Sequence, residues 1–390
     1  MINLHEPYLD FKDKKLINSC IKSGWISNSG EYLKKFENNI SKVLNTKYAL
    51  SFINCTSALQ ISINLINYNE RNEILIPSIG FISPANCILY NRCYPIFMDV
   101  DNNYLLDIEK TTNFLKNETY LKYDKIEKKN FCYNKKTSRK ISTLLVIHTF
   151  GNGVLMDELV KQCNKRNITI IEDAAESLGT RYKEGKYKGR YVGTIGKIGC
   201  LSFNGNKIIT SGGGGMLLTK SKKIYEKANY LITQAKDDSN FYVHNEIGYN
   251  LKLSNLNAAL GVSQLDKLKK FIKYKKFIYS YYKQKINKFQ NIEFFESPEY
   301  VDSNYWLNLI KINKNINLRK VVDIFYKNSI QVRPVWAPLH LQKMLKNYQR
   351  YYIEKAPILI NKSLCLPSSF TLNKNNLVKI IKILKKIDNE

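Results

Sequence analysis

The chain has 390 residues, 44% of them hydrophobic, which is enough for two domains or for one large domain with a smaller appendix. No apolar run approaches the roughly 18 residues of a membrane span, and the N-terminus has no apolar signal core. The eight cysteines form no Cys-x-x-Cys pair and no metal-ligand spacing. We therefore expect a cytoplasmic protein with free thiols, no metal and no membrane insertion.

The formal net charge is +28. Such a charge can indicate nucleic acid or an anionic membrane as a partner. The lysines, however, are spread along the chain among many Asn, Ile and Tyr residues, so we expect no nucleic-acid partner. A non-catalytic basic binding protein is the alternative that the charge alone suggests.

Short apolar or β-branched runs alternate with segments of helical periodicity over the first part of the chain. Strands that alternate with helices predict a doubly wound, mostly parallel sheet. From about Ser254 the pattern changes to long helices and then to a smaller mixed region, so we divide the chain into a large domain, 1–250, and a small C-terminal domain, 251–390. The predicted strands are 49–53, 73–76, 95–100, 143–149, 168–172, 199–203 and 215–219.

The first candidate site follows the first of these strands. In INCTSALQIS, a polar turn leads into a helix that has Thr56 and Ser57 at its start. Backbone N–H groups at a helix N-terminus, aided by hydroxyl groups, can hold a phosphate. An ordinary Thr or Ser helix cap is the alternative interpretation.

The segment 117–140 departs from the alternating pattern because it is polar and rich in lysine. We interpret it as a solvated insertion. The alternative is a loop or hairpin that reaches the phosphates of a substrate.

The second candidate site is IEDAAESLG, which starts on an apolar run and then delivers Glu172 and Asp173 into a turn of small residues. Ligand sites of open α/β sheets lie at the carboxyl ends of the strands. Enzymes that use pyridoxal 5′-phosphate (PLP) supply an aspartate to the pyridine nitrogen of the cofactor. An aspartate that caps a helix would have the same place in the sequence.

The third candidate site is IGCLSFNGNKIITSGGGGM, in which a polar turn after an apolar run presents Lys207. Lysine amines form Schiff bases with carbonyl substrates and with PLP. Together with Asp173 upstream, Lys207 gives the hypothesis of a PLP-dependent enzyme.

These stretches, with IGYNLKLSNLNAALGVSQL, resemble the DegT/StrS family of PLP-dependent nucleotide-sugar aminotransferases. The resemblance extends from SGWISNSGEYLKKFE to VRPVWAPLH. It implies the PLP-dependent transferase fold (aspartate aminotransferase-like, fold type I), with a mostly parallel seven-stranded sheet, PLP in the large domain, and a smaller C-terminal α+β domain. The phrases SFNGNKIITSGGGGM and CYNKKTSRKI are most similar to the branch that serves the bacillosamine and legionaminic acid pathways.

The resemblance also implies roles for individual residues. Lys207 would be the Schiff-base lysine, Asp173 the partner of the pyridine nitrogen, and Glu176 a polar neighbour of the cofactor's phenolic oxygen. Phe81 would stack on the cofactor ring. The positions that would bind the cofactor phosphate are Thr56, Ser57 and Ser202, together with Asn250 from the other subunit of a homodimer with shared active sites.

One position departs from the family pattern, because Cys55 stands where a glycine is usual, and a side chain there can crowd the phosphate turn. Arg333 and His340 are candidates for contacts with the substrate. His148 ends an apolar run and either lines the site or is a core histidine.

The implied reaction moves the amino group of L-glutamate to C4 of a nucleotide-linked 4-keto-6-deoxy-N-acetylhexosamine. Amination at C3, and a perosamine-type 4-amination of a different nucleotide sugar, are alternatives. Related enzymes that dehydrate deoxysugars carry histidine in place of the lysine, so Lys207 favours amino transfer. The sequence does not distinguish UDP from GDP, nor does it give the stereochemistry of the sugar.

Overall fold

The computed structural model describes residues 1–67, 71–238, 240–313 and 317–389. Its helices are α1 (Phe11–Ser23), α2 (Glu31–Leu44), α3 (Cys55–Asn67), α4 (Ile82–Tyr90), α5 (Ile108–Asn117), α6 (Asp157–Lys165), α7 (Lys222–Ile232), α8 (Asn255–Leu265), α9 (Leu268–Ile286), α10 (Leu318–Lys327), α11 (Lys355–Ile360) and α12 (Lys374–Asn389), with a 3₁₀ turn at Leu339–Leu341.

The strands are β1 (Tyr48–Phe52), β2 (Glu73–Pro77), β3 (Tyr94–Met98), β4 (Thr119–Asp124), β5 (Lys129–Asn134), β6 (Lys140–Ile147), β7 (Thr169–Asp173), β8 (Arg181–Tyr182), β9 (Ile198–Ser202), β10 (Gly215–Thr219), β11 (Ile292–Phe294), β12 (Val301–Asp302), β13 (Asn308–Ile312), β14 (Arg333–Pro334), β15 (Arg350–Tyr351) and β16 (Ser363–Leu366).

The large sheet contains all seven predicted strands, in the order β1-β10-β9-β7-β6-β2-β3. Neighbouring strands are parallel except at β10, which is antiparallel to both β1 and β9. Strands such as β2 and β9 are buried along their whole length because helices cover both faces of the sheet. The predicted strand ends agree within two residues, except that β6 begins earlier, at Lys140.

The sheet is wider than the seven strands that the sequence predicts, because three short strands bring it to ten. β15 adds to the edge at β3, and the hairpin β4–β5 pairs with β6. The hairpin occupies the insertion 117–140, and most of β4 is exposed, as expected for a solvated segment. In β6, the residues that pair with β5 are the first two, Lys140 and Ile141. The candidate site lies beyond the last residues of β6. The hairpin is therefore at the end of β6 opposite to the site of its own subunit.

A smaller antiparallel sheet has the strand order β11-β13-β16-β14. The helices α9, α10 and α12 share its hydrophobic core, to which α12 contributes Leu377, Ile380 and Leu384. The last helix thus packs its apolar side into a core. No helix in the described ranges is long and apolar enough to cross a bilayer.

The division of the chain at residue 250 stays a prediction. Several contacts cross it: Ile2 pairs with Ile330, β15 joins the large sheet, and α8 packs against α1 and α2. The pair β8–β12 also joins the segment after β7 to the segment before β13. This crossing is important for the site because it brings the residues around 304–306 next to β7 and β9.

Candidate active site

The carboxyl ends of β6, β7, β9 and β1 meet at one edge of the large sheet, where they open into a cavity of about 390 Å³. Six residues predicted from the sequence line this cavity: Thr56, Phe81, Asp173, Glu176, Ser202 and Lys207. A larger cavity of about 610 Å³ lies between α3, α4 and α7, but none of these six residues lines it. The site is therefore defined by its combination of side chains and not by its size.

Lys207 is presented by the turn after β9, which is closed by a hydrogen bond from its own N–H to the carbonyl of Asn204 at 3.0 Å. Its side chain is 13% exposed, and its Nζ lies 3.8 Å from Oε1 of Glu176. The same Nζ is 4.1 Å from the centroid of the Trp306 ring. The indole N–H of Trp306 donates to the carbonyl of Asn206 at 2.6 Å, which ties the ring to the turn that carries the lysine. The amine thus lies between a carboxylate and an aromatic face.

Two buried carboxyl groups flank Lys207. Asp173 ends β7, and its Oδ1 accepts a hydrogen bond from the N–H of Ala175 at 3.0 Å. Burial raises the pKa of Asp173, and the Ala175 N–H and the Lys207 charge only partly oppose this. Burial also raises the pKa of Glu176 to about 7, although the Lys207 charge and the Phe150 N–H act in the other direction. Both carboxyl groups are thus in positions where a cationic partner would be favourable.

Glu172, which precedes Asp173 in β7, is a third buried carboxylate, and it receives its hydrogen bonds from other groups of the protein. His148 accepts a hydrogen bond at Nδ1 from the N–H of Val154 at 3.1 Å, so its proton is on Nε2, which lies 2.9 Å from Oε2 of Glu172. Backbone N–H groups of the turn 193–196 also donate to Glu172. Burial would raise the pKa of Glu172, but these hydrogen bonds, led by the one from His148, bring it below its ordinary value. His148 lines the cavity and is also a satisfied core histidine, so both interpretations of it apply.

The start of α3 forms one corner of the cavity, which we name the phosphate corner after its predicted role. Asn54 caps the helix by accepting the N–H of Ser57 at its Oδ1, at 2.8 Å. The hydroxyl of Thr56 donates to Ser83 at 3.1 Å, and both residues line the cavity together with Ser202. A helix N-terminus with several hydroxyl groups fits a phosphate.

Neighbouring residues explain how this corner is packed. Gly215 lies directly against Asn54, since a Cβ at Gly215 would be 2.5 Å from the Asn54 backbone. Cys55 lines the cavity, and burial raises the pKa of its thiol well above the ordinary value, so this residue adds no negative charge beside a phosphate. Ser57 is buried and does not line the cavity.

Three further predicted residues, besides Ser57, are not on the wall of this cavity. Asn250 is exposed in a separate hollow with Lys252. Arg333 is exposed on β14, where it donates to the hydroxyl of Tyr326 at 2.5 Å. His340 is buried near Phe97 and lines a different cavity. Their roles toward phosphate and substrate stay predictions.

The sequence interpretation missed both tryptophans of the site. Trp306 comes from the segment after β12 and has no local signature, because its neighbours read as the beginning of an ordinary apolar strand. Trp336 lies in VRPVWAPLH, the motif at which the family resemblance ends. Its position in that motif could have identified it as a residue of the site. Its ring stacks on Phe150 with centroids 5.0 Å apart and planes at 6°.

The fold and this cavity together define a class of protein. A doubly wound sheet whose strand ends bring together a lysine, a buried aspartate and a helix-start phosphate corner is the arrangement of a PLP-dependent enzyme of fold type I. Residues 7–385 match the DegT/DnrJ/EryC1/StrS aminotransferase family, and the chain belongs to this family. The protein is a PLP-dependent sugar aminotransferase.

Individual relatives agree with this assignment. GDP-perosamine synthase of Escherichia coli O157:H7 is 32% identical over 381 residues, which cover 97% of this chain and 96% of that protein. UDP-4-amino-4,6-dideoxy-N-acetyl-beta-L-altrosamine transaminase of Campylobacter jejuni is 27% identical over 293 residues, or 74% of this chain and 70% of that one. The structure of Helicobacter pylori PseC, an aminotransferase involved in the biosynthesis of pseudoaminic acid, has the same fold, with a TM-score of 0.86, 22% identity, and coverage of 99% of this chain and 98% of that one.

Proposed function

We propose that the protein transfers the amino group of L-glutamate to C4 of a nucleotide-linked 4-keto-6-deoxy-N-acetylhexosamine, for a glycan of the bacillosamine or legionaminic acid type. The observation that carries the proposal is the placement of Lys207 in one cavity with Asp173 and the phosphate corner. The transaminase from Campylobacter jejuni, whose name contains an N-acetylated 4-amino-4,6-dideoxy sugar, supports the choice of substrate class. The eight cysteines are all buried free thiols, which supports a cytoplasmic location.

The residues of the cavity have distinct tasks in this proposal. Bound PLP supplies an electron sink that makes a proton on the neighbouring substrate carbon removable. Lys207 moves that proton with its Nζ, and Glu176, 3.8 Å away, is the carboxyl partner of the amine. Asp173 holds the pyridine nitrogen in its protonated form. The same groups serve both half-reactions, first with glutamate and then, in the reverse direction, with the keto sugar.

The remaining predicted cofactor residues have supporting roles in the proposal. The hydroxyl groups of Thr56 and Ser202 and the N-terminus of α3, including Ser57, hold the phosphate. Phe81 is 55% exposed at the beginning of α4 and lines the cavity, so its ring is available to cover the cofactor. Trp306, which is almost completely buried, excludes water from the side of Lys207.

Amination assays with a panel of nucleotide-linked keto sugars test the reaction. With L-glutamate and UDP- or GDP-linked 4-keto-6-deoxy-N-acetylhexosamines, we expect a 4-amino product, identified by NMR, and no product from the Lys207→Ala protein. An amine at C3 would contradict the proposal. Turnover restricted to GDP-4-keto-6-deoxymannose would replace it by perosamine-type amination, the second candidate, which the 32% identical GDP-perosamine synthase favours.

We also propose that two copies of the chain share their active sites, with Asn250 reaching the phosphate in the partner subunit. Asn250 is exposed and does not line the cavity of its own subunit. The segment before it exposes large apolar side chains, with Phe241 80% and Ile247 86% exposed. Several large apolar side chains exposed in one short segment are typical of an interface between protein chains.

Mixing two inactive variants tests the shared site. A dimer of one Lys207→Ala subunit and one Asn250→Ala subunit keeps one complete site, with Lys207 from one chain and Asn250 from the other. After subunit exchange at equal amounts, we expect about one quarter of the wild-type activity, because half of the dimers are mixed and each has one working site. Subunit exchange is verified by co-purification of two different tags. If the exchanged mixture is inactive, or if light scattering shows an active monomer, the proposal is contradicted.

A further inference from the structure

Lys275 is a buried lysine that none of the tasks above uses. It lies on α9, is fully buried, and has no carboxylate within ion-pair distance among the residues that the structure describes. Its Nζ donates to the carbonyl of Trp306 at 3.0 Å and to the carbonyl of Ser368, and lies 4.9 Å from the centroid of the Phe370 ring. Burial lowers the pKa of the Lys275 amine well below its ordinary value. The amine is satisfied by these two carbonyl acceptors.

The acceptor at Trp306 connects Lys275 to the active site. Three hydrogen bonds fix Trp306: its N–H donates to Oδ1 of Asn304 at 2.9 Å, its carbonyl accepts from Lys275, and its indole N–H donates to the carbonyl of Asn206 at 2.6 Å. The side-chain Nδ2 of Asn304 in turn donates to the backbone carbonyl of Glu176 at 2.8 Å. The indole is therefore held on both its backbone and its ring, with the ring centroid 4.1 Å from Nζ of Lys207.

We propose that Lys275 is a positioning residue for amino transfer, which holds Trp306 against Lys207 without itself lining the cavity. The inference rests on the proposed role of Lys207. The packed indole restricts the side chain of Lys207 and keeps water from its amine. A displacement of about 1 Å at a reacting group can cost up to about 10²-fold in rate, so a loosened indole would slow the chemistry more than it would weaken substrate binding.

Lys275→Met tests the proposal, because methionine keeps a linear apolar side chain but cannot donate the hydrogen bonds to Trp306 and Ser368. Lys276→Met is the matched control, since Lys276 is the next residue of α9 and is exposed. In the loaded enzyme, we expect Lys275→Met to lower kcat about tenfold while KM for the nucleotide sugar changes by less than about twofold, and Lys276→Met to change neither. Lys275→Gln retains an N–H donor on a shorter side chain and should recover part of kcat.

A second measurement uses the protein without cofactor or sugar. Acetic anhydride acetylates accessible lysine amines, and peptide mass spectrometry gives the rate at each lysine. Lys252 serves as the internal reference, because its side chain is 10% exposed and it is paired with Glu37. In Lys275→Met, we expect Lys207 to react about threefold faster or more relative to Lys252, because the indole no longer shields the amine.

These measurements separate the possible outcomes. If acetylation of Lys207 and of Lys252 is accelerated equally, the fold has loosened in general and the proposal is overturned. Unchanged acetylation rates and an unchanged kcat in a folded Lys275→Met protein would also overturn it. If Lys275→Met does not fold, Trp306→Phe is used instead: it removes the bond to Asn206, and an unchanged rate at Lys207 overturns the proposal. Since the acetylation rates need no substrate, a failure of the wild-type protein to aminate sugars would reject the proposed function and leave this result interpretable.

Discussion

Lys207→Ala should lower turnover by about 10³-fold or more, because it removes the amine that moves the proton at the substrate carbon. Lys207 is the lysine that lines the cavity, and its Nζ lies 3.8 Å from Glu176. Lys207→Arg should be equally inactive, since a guanidinium keeps the positive charge but does not release its proton. Lys220→Ala, which changes an exposed lysine just after β10, should retain full activity.

Chemical trapping gives an independent measurement on the wild-type protein. Reduction with borohydride in the presence of PLP should inactivate the enzyme and leave a phosphopyridoxyl group on the peptide that contains Lys207. The group on a different lysine, or full activity of Lys207→Ala, would contradict the assignment.

Asp173→Asn is expected to keep PLP bound and to lower turnover by about 10²-fold or more, because the protonated pyridine nitrogen loses its charge partner in a buried place. Neighbouring carboxyl groups have other partners: Glu172 is bonded to His148 and to backbone N–H groups, and Glu176 lies 3.8 Å from Nζ of Lys207. The control is Asp302→Asn, which changes an exposed carboxylate on β12. Unchanged turnover of Asp173→Asn would reject the proposed role.

The same substitution should not destabilise the cofactor-free protein. The pKa of Asp173 is raised in the folded state, chiefly by burial, so the unfolded chain releases this proton at a lower pH than the folded protein does. Stability therefore falls as the pH rises between these two pKa values, and above both the charged carboxylate is a cost to the fold. At pH 7 Asp173→Asn removes that cost, so urea unfolding without PLP should give a free energy of unfolding at least as large as that of the wild type. A clearly lower value would indicate a structural role for Asp173.

The candidate site could be predicted as far as it depends on strand ends. Asp173 and Ser202 end β7 and β9, which are adjacent and parallel, and Lys207 follows in the next turn. Because parallel strands end at the same edge of a sheet, residues that directly follow their apolar runs must lie close together. Thr56 belongs to the same edge for the same reason, through β1 and the start of α3.

Other parts of the site could not be predicted from local patterns in the sequence. Arg333 and His340 were expected near the substrate, yet neither lines the cavity of its own subunit. Trp306, which the sequence interpretation missed, is close to Lys207 only because β12 pairs with β8 and Asn304 bonds to the segment after β7. These contacts join residues far apart in the chain, and no spacing in the sequence records them.

The sequence by itself therefore determined the seven central strands, the fold class and the group formed by Lys207, Asp173 and Thr56, because apolar runs and the turns after them are local features. Only the tertiary structure decided that the insertion 117–140 is a hairpin at the far end of β6. It also decided that Trp306 covers Lys207 and that Lys275 is buried beneath it. The physical reason is that a side chain's burial and hydrogen-bond partners depend on which elements pack around it, and packing between distant segments leaves no periodic signal in the sequence.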